Sequence, residues 1–169
     1  MKCTNCGTQG VTLERVVTVF SPKIPDVMAD GLERGHCPHC GEDYVGVPRS
    51  KELIDTIVAT LIAKRWRLAS GEIRFLRSAL SLRADELAET LGVTPSQISR
   101  WENAAPKGGR PVQMSVTADR LLRVLVANHR GLATPELRGI DPSHAQPLAF
   151  TVRLRRRWKL VESSIAQVA

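Results

Sequence analysis

Two cysteine pairs constrain this chain more than any other feature: Cys3 and Cys6 in "MKCTNCG", and Cys37 and Cys40 in "HCPHCGE". Each is a Cys-x-x-Cys followed by glycine, and 30 residues separate the two. The spacing lets two sulfurs from one turn reach the same ion, and thiolates bind zinc tetrahedrally. Gly7 and Gly41 permit the left-handed backbone that a tight turn around sulfur favours. Four cysteines in two tight pairs read as metal ligands in a reducing compartment, not as disulfides. Catalytic zinc keeps an open position, whereas four thiolates close the sphere. The expected cofactor is therefore one structural Zn2+ held by Cys3, Cys6, Cys37 and Cys40. His36 and His39 flank Cys37 and are expected as exposed turn residues. A thioredoxin-type redox pair needs only one such motif, and no βαβ pattern surrounds either.

Between the knuckles, "VTLERVVTVF" is rich in β-branched residues and is expected to form strands that bring the cysteines together. Phe20 and Tyr44 are the only aromatic residues of this head, so its core is thin. Metal binding, at about 10–16 kcal/mol, is then expected to supply most of its stability.

Charge separates the head from the rest of the chain. In total there are 24 basic and 17 acidic residues, a net of +7. Residues 1–50 hold 5 basic and 6 acidic groups, and residues 51–169 hold 19 and 11, a net of +8. A polyanion, if bound, is expected on the C-terminal two thirds. No apolar run reaches membrane-spanning length and none resembles a signal peptide, so a soluble, cytoplasmic protein without a membrane partner is expected.

In "VPRSKELIDTIVATLIAKRWRLAS", Leu53, Ile54, Ile57, Val58, Leu61 and Ile62 recur at helical spacing behind Ser50 as N-cap. This predicts a helix from about 51 to 68, with Lys64, Arg65 and Arg67 on a solvated face. The next stretch, "GEIRFLRSALSLRADELAETLGVTPSQISRWENA", fits three short helices. The first turns Ile73, Leu76 and Leu80 inward. The second turns in Leu87, Ala88 and Leu91 and stops at Gly92. The third starts at Thr94 with Pro95 in its first position, and Thr94 and Gln97 have capping-box spacing. Ile98 and Trp101 face inward, which turns Ser96, Arg100 and Asn103 outward. Helix, turn and a helix showing an arginine is the helix-turn-helix arrangement that enters the major groove.

Leu87-Ala88, Gly92-Val93 and Ser99-Arg100-Trp101-Glu102 resemble the pattern of an Xre-type (Cro-like) helix-turn-helix. With the cysteine head and the downstream "TADRLLRVLVANH", residues 1 to about 130 resemble the MqsA-type antitoxins and their YgiT-type zinc finger. The resemblance implies base reading by Ser96, Gln97 and Arg100, with Arg100 as the bidentate guanine contact, worth about 1–3 kcal/mol of discrimination. It implies phosphate contacts from Thr94, Ser99, Lys107 and Arg110, and a structural pair between Glu102 and Arg77. Three departures stand out: Arg83-Ala84 replaces the usual Thr-Gln at the second helix, Ala104 replaces a glycine two residues after Glu102, and the loop "AAPKGGRPV" is long.

Near the C-terminus, "FTVRLRRRWKLVE" alternates Phe150, Val152, Leu154, Trp158 and Leu160 with basic residues, a period of two broken at Arg156. A short amphipathic helix through Leu154, Trp158 and Val161 fits the same letters. Nucleic-acid contact, partner binding or a strand packed on its own domain all remain open for it. "RGIDPSHAQP" before it reads as a flexible linker.

The expected fold is mainly α with a small N-terminal β-rich zinc-binding domain, a central Xre-type helix-turn-helix bundle and a basic C-terminal extension. The expected divisions are 1–48 (zinc finger), 49–70 (connecting helix), 71–130 (DNA-binding domain) and 131–169 (extension). The resemblance implies a bacterial, dimeric DNA-binding repressor on a palindromic operator, nucleoid-associated when bound. It would also be the antitoxin of a type II system, neutralising a toxin, often a ribonuclease, through the zinc head. The alternative is a stand-alone helix-turn-helix regulator without a toxin partner, in one version sensing zinc or oxidation through the four cysteines. No nucleophile–base set, phosphate loop or open metal site points to an enzyme.

Overall fold

The computed structural model describes residues 1–103, 112–143 and 145–165. Among them, β1 (Glu14–Ser21), β2 (Ile24–His36) and β3 (Asp43–Gly46) come first. Five helices come next: α1 (Ser50–Ile62), α2 (Ser70–Ala79), α3 (Ala84–Leu91), α4 (Pro95–Glu102) and α5 (Val116–Arg130). A hairpin of β4 (Leu148–Leu154) and β5 (Trp158–Ile165) ends the described chain. The chain thus has an N-terminal β-sheet region bearing the four cysteines, and five helices.

The five strands form one sheet, ordered β1-β2-β4-β5 with β3 also on β2. β1 lies antiparallel along one edge of β2. The other edge is shared: Val27–Asp30 pair in parallel with β4, and Glu33–His36 pair antiparallel with β3. Gly31 sits where β2 changes partner. Its φ of +126° suits glycine, and a Cβ there would stand 2.6 Å from the Leu154 Cβ. β2 can pass Leu154 only without a side chain at this position.

Alternation sets the faces. Val27, Ala29, Phe150, Val152, Leu154 and Trp158 point inward and are buried. Against them packs the α1 stripe of Leu53, Ile57, Val58, Leu61 and Ile62, all buried. Phe20 of β1 meets Phe75 of α2 edge to face, with ring centroids 6.0 Å apart. One large core therefore runs from the sheet through all five helices, and a small second cluster holds Cys3, Val11 and Cys37 with Leu13 and Tyr44.

Several sequence expectations change. The residues left open between strand and helix, 150–160, form the hairpin, and Arg156 breaks the alternation because residues 155–157 are its turn. α1 begins at Ser50 itself, after Arg49 in a left-handed conformation, so Ser50 is not its cap. It also stops at Ile62, not near 68. Arg123, fully buried on α5, explains the stop: its guanidinium takes the carbonyls of Ile62, Lys64 and Trp66 at 3.0, 2.6 and 2.7 Å. Those oxygens are then unavailable for further helical turns. Lys64 is buried too, not on a solvated face, and its Nζ donates to Glu72 at 2.5 Å and to the Gln146 carbonyl at 2.7 Å. Nor is the segment before the hairpin a free linker. The Asp141 amide donates to the Arg65 carbonyl, Arg67 to that of Pro142 and Trp66 to that of Gln146.

Candidate functional site

The cysteines come together from two turns of the same kind. In each, the amide after the second cysteine donates back to the first cysteine's carbonyl: Gly7 to Cys3 at 3.1 Å and Gly41 to Cys37 at 2.9 Å. Both glycines are left-handed, with φ of 74° and 73°. Cys3 and Cys37 are buried, and Cys6 and Cys40 face solvent. All four Sγ atoms lie within 4.8 Å of one another. Cys3 and Cys40 are 3.6 Å apart, and Cys6 and Cys37 are 3.7 Å apart. Those separations are far too long for a disulfide. They match the edge, about 3.8 Å, of a tetrahedron with bonds of about 2.3 Å from metal to sulfur.

Electrostatics support the same reading. The Cys6 amide and then the Tyr44 hydroxyl, at 3.1 Å, stabilise the Cys3 thiolate and lower its pKa to about 6. The Glu42 amide acts the same way on Cys40, yet partial desolvation of its sulfur within the cluster and the neighbouring sulfurs outweigh it and push Cys40 up to about 12. Four thiolates cannot ionise side by side without a cation, and a dication among them removes that conflict. The residues present fit a tetrathiolate metal site, consistent with zinc. His36 and His39 are exposed and stand outside the cluster.

The second place of interest is α3 and α4. α3 ends at Gly92 in the left-handed conformation, with φ of 67°. Thr94 then caps α4: its Oγ1 accepts from the Gln97 amide at 3.3 Å, and Gln97 Oε1 accepts from the Thr94 amide at 3.0 Å. Ile98 and Trp101 are buried, as their spacing implies. Glu102 is buried as well, gripped in two parallel bonds by Arg77 Nε at 2.6 Å and Nη2 at 2.8 Å. That bidentate pair ties α4 to α2.

On the opposite face, Thr94, Ser96, Ser99, Arg100 and Asn103 are exposed and Gln97 half-buried. Four of these side chains are already engaged: Thr94 and Gln97 in the cap, and Ser99 and Asn103 with each other. Asn103 also accepts from Arg74 at 2.6 Å while donating to the Ser99 carbonyl at 2.7 Å. Arg100 spends only Nε, on the Ser96 carbonyl at 3.3 Å. Its two terminal nitrogens have no partner among the described residues. Lys107 and Arg110 lie outside the described residues. Sequence reasoning overlooked the buried ion pairs Lys64–Glu72 and Asp119–Arg123; for the latter, the i,i+4 spacing of opposite charges was the available signal.

Fold and site define a protein whose β-sheet region carries a four-cysteine cluster that could hold a metal and whose helices carry an exposed polar face. The chain belongs to the family described as the antitoxin component of bacterial toxin-antitoxin system, MqsA, whose sequence profile matches residues 1–138. Membership supports an antitoxin role and implies a toxin as partner. No curated protein and no solved structure matches the chain. Among the described residues, no helix is long and apolar enough to cross a membrane.

Proposed function

We propose that this antitoxin is a sequence-specific DNA-binding repressor that neutralises its toxin through a zinc-clasped head and represses its own operon. In this reading residues 1–48 are the toxin-binding unit, 49–70 connect, and 71–130 form an Xre-type helix-turn-helix. The observation that carries the DNA part is the pairing of a buried Ile98–Trp101 face with an exposed face on which Arg100 keeps its guanidinium fork free. Such a fork matches the O6 and N7 of guanine. Ser96 is the second base contact. Thr94 and Ser99 position the helix on phosphates, with Lys107 and Arg110 in the same role. Gln97 and Asn103 contribute less to base reading, because their amide groups are held by the helix ends, whereas the hydroxyls of Thr94 and Ser99 lie exposed and can still meet a phosphate alongside their hydrogen bonds. A homodimer on a palindromic operator places two such helices about one helical turn apart. Zinc, held by Cys3, Cys6, Cys37 and Cys40, supplies no chemistry beyond neutralising four thiolates and fixing the two turns.

Operator binding by wild type and Arg100→Ala across a salt series tests this. The variant is expected to lose about 1–3 kcal/mol of discrimination between operator and scrambled duplex while keeping nearly the same salt slope. Unchanged specificity would remove the central assignment.

A further inference from the structure

The β4–β5 hairpin lies beyond residue 138, where the family match ends, and its surface has no part in toxin neutralisation or operator reading as proposed. Its turn consists of Arg155, Arg156 and Arg157, all exposed. Arg153 and Lys159 flank them, so five cations fall within residues 153–159. Only Arg153 has an acidic partner, Asp30; the other four make no ion pair among the described residues. These residues line an open concavity of about 840 Å³.

The turn is built, not loose. The Arg155 amide donates to the Arg157 carbonyl at 3.2 Å, and Arg49 holds the carbonyl of Arg156. Trp158, buried, anchors the next residue by donating its Nε1 proton to the Pro48 carbonyl at 2.8 Å. Backbone groups and a tryptophan thus fix the tip, and its three arginine side chains have no partner among the described residues. Like charges at this density repel one another, and a polyanion relieves that repulsion. Protein interfaces accept arginine but are anchored by aromatic residues at their centre and depleted of lysine. Here the concavity is lined mostly by apolar surface, from Leu160, Val161 and the arginine and lysine stems, but by no aromatic residue, and five cationic groups belong to its lining. The guanidinium fork suits phosphate oxygens, and a sugar–phosphate backbone presents them without demanding one register.

We infer that the tip of the β4–β5 hairpin binds the sugar–phosphate backbone of nucleic acid, as a contact separate from α4. The separation comes from packing: α4 lies on α2 and α3, whereas the tip sits against Pro48 and Arg49.

The test uses the full, metal-loaded chain and a labelled duplex of arbitrary sequence, about 20 base pairs long, titrated between about 50 and 200 mM salt. Replacing Arg155, Arg156 and Arg157 together by alanine is expected to lower affinity at least about ten-fold at low salt. It should also flatten the log–log salt slope by about 2.7, at 0.9 per lost phosphate contact. The triple lysine variant is expected to restore the slope, since it returns the charge. An unchanged slope in the alanine variant overturns the proposal, whether or not an acidic protein is found to bind the tip. So does a loss that lysine fails to restore. Because the duplex carries no operator, this result is independent of whether Arg100 reads bases.

Discussion

Glu72 shows how much one buried carboxylate organises. Its Oε2 accepts from the Ala69 amide at 2.7 Å and from Lys64 at 2.5 Å, and its Oε1 accepts from the Leu148 amide at 2.8 Å. The start of α2, the end of α1 and the first residue of β4 therefore meet on one side chain. Burial pushes its pKa up while Lys64 opposes the rise, and burial also pulls Lys64 down. Removing one member of such a pair strands the other charge, which costs about 3–5 kcal/mol. Glu72→Ala is expected to lower unfolding stability in urea by that amount, and a loss below about 1 kcal/mol would show that the clamp is dispensable. The clamp was not legible in the letters, because a local pattern cannot say that a charge is buried or that one of its partners is the Leu148 amide, 76 residues away. Residues with local partners were legible: Thr94 with Gln97, and the inward Ile98 and Trp101. Arg77 with Glu102 came from the resemblance.

At the scale of elements, β-branched density pointed to β1, and caps and a glycine stop pointed to α3 and α4. α1 was read too long because its true end depends on Arg123, 61 residues past Ile62. The head itself divides unevenly. β1 and β2 place Val16, Phe20, Val27 and Ala29 in or against the main core, whereas the two knuckles have only Val11, Leu13 and Tyr44 around the sulfurs. A metal held by the cysteines would therefore stabilise the knuckles and not the sheet, a narrower dependence than a thin-cored independent head would show. Chelation is expected to release backbone protection at residues 1–13 and 37–46 while β1, β2 and α1 stay protected, as hydrogen exchange can resolve. Loss of protection throughout β2 on chelation would contradict that division.

At the scale of the whole molecule, the decisive event is the parallel pairing of β4 with β2, joining residues 27–30 to 150–153. Period-two alternation in "FTVRLRRRWKLVE" identifies which side chains share a face, but it carries no information about which strand is the neighbour. The consequence is that a segment outside the family match completes the core of the matched part. Phe150, Val152, Leu154 and Trp158 are at most 7% exposed, and their strands pack against α1 in the same core. Burying one large apolar side chain is worth about 1.5–3 kcal/mol, so four contribute about 6–12 kcal/mol. A domain of this size has only about 5–15 kcal/mol of net stability. A chain truncated after Arg138 also strands the Glu72 carboxylate that β4 helps to satisfy. It is expected to be unfolded or to aggregate at room temperature, even though it retains every cysteine and every residue of α4. Circular dichroism and urea unfolding of the truncated chain would decide. A cooperative transition within about 2 kcal/mol of the full chain would mean that the hairpin merely decorates the fold. The expected collapse would mean that the metal clasp, the exposed helix face and the arginine tip all depend on one continuous core.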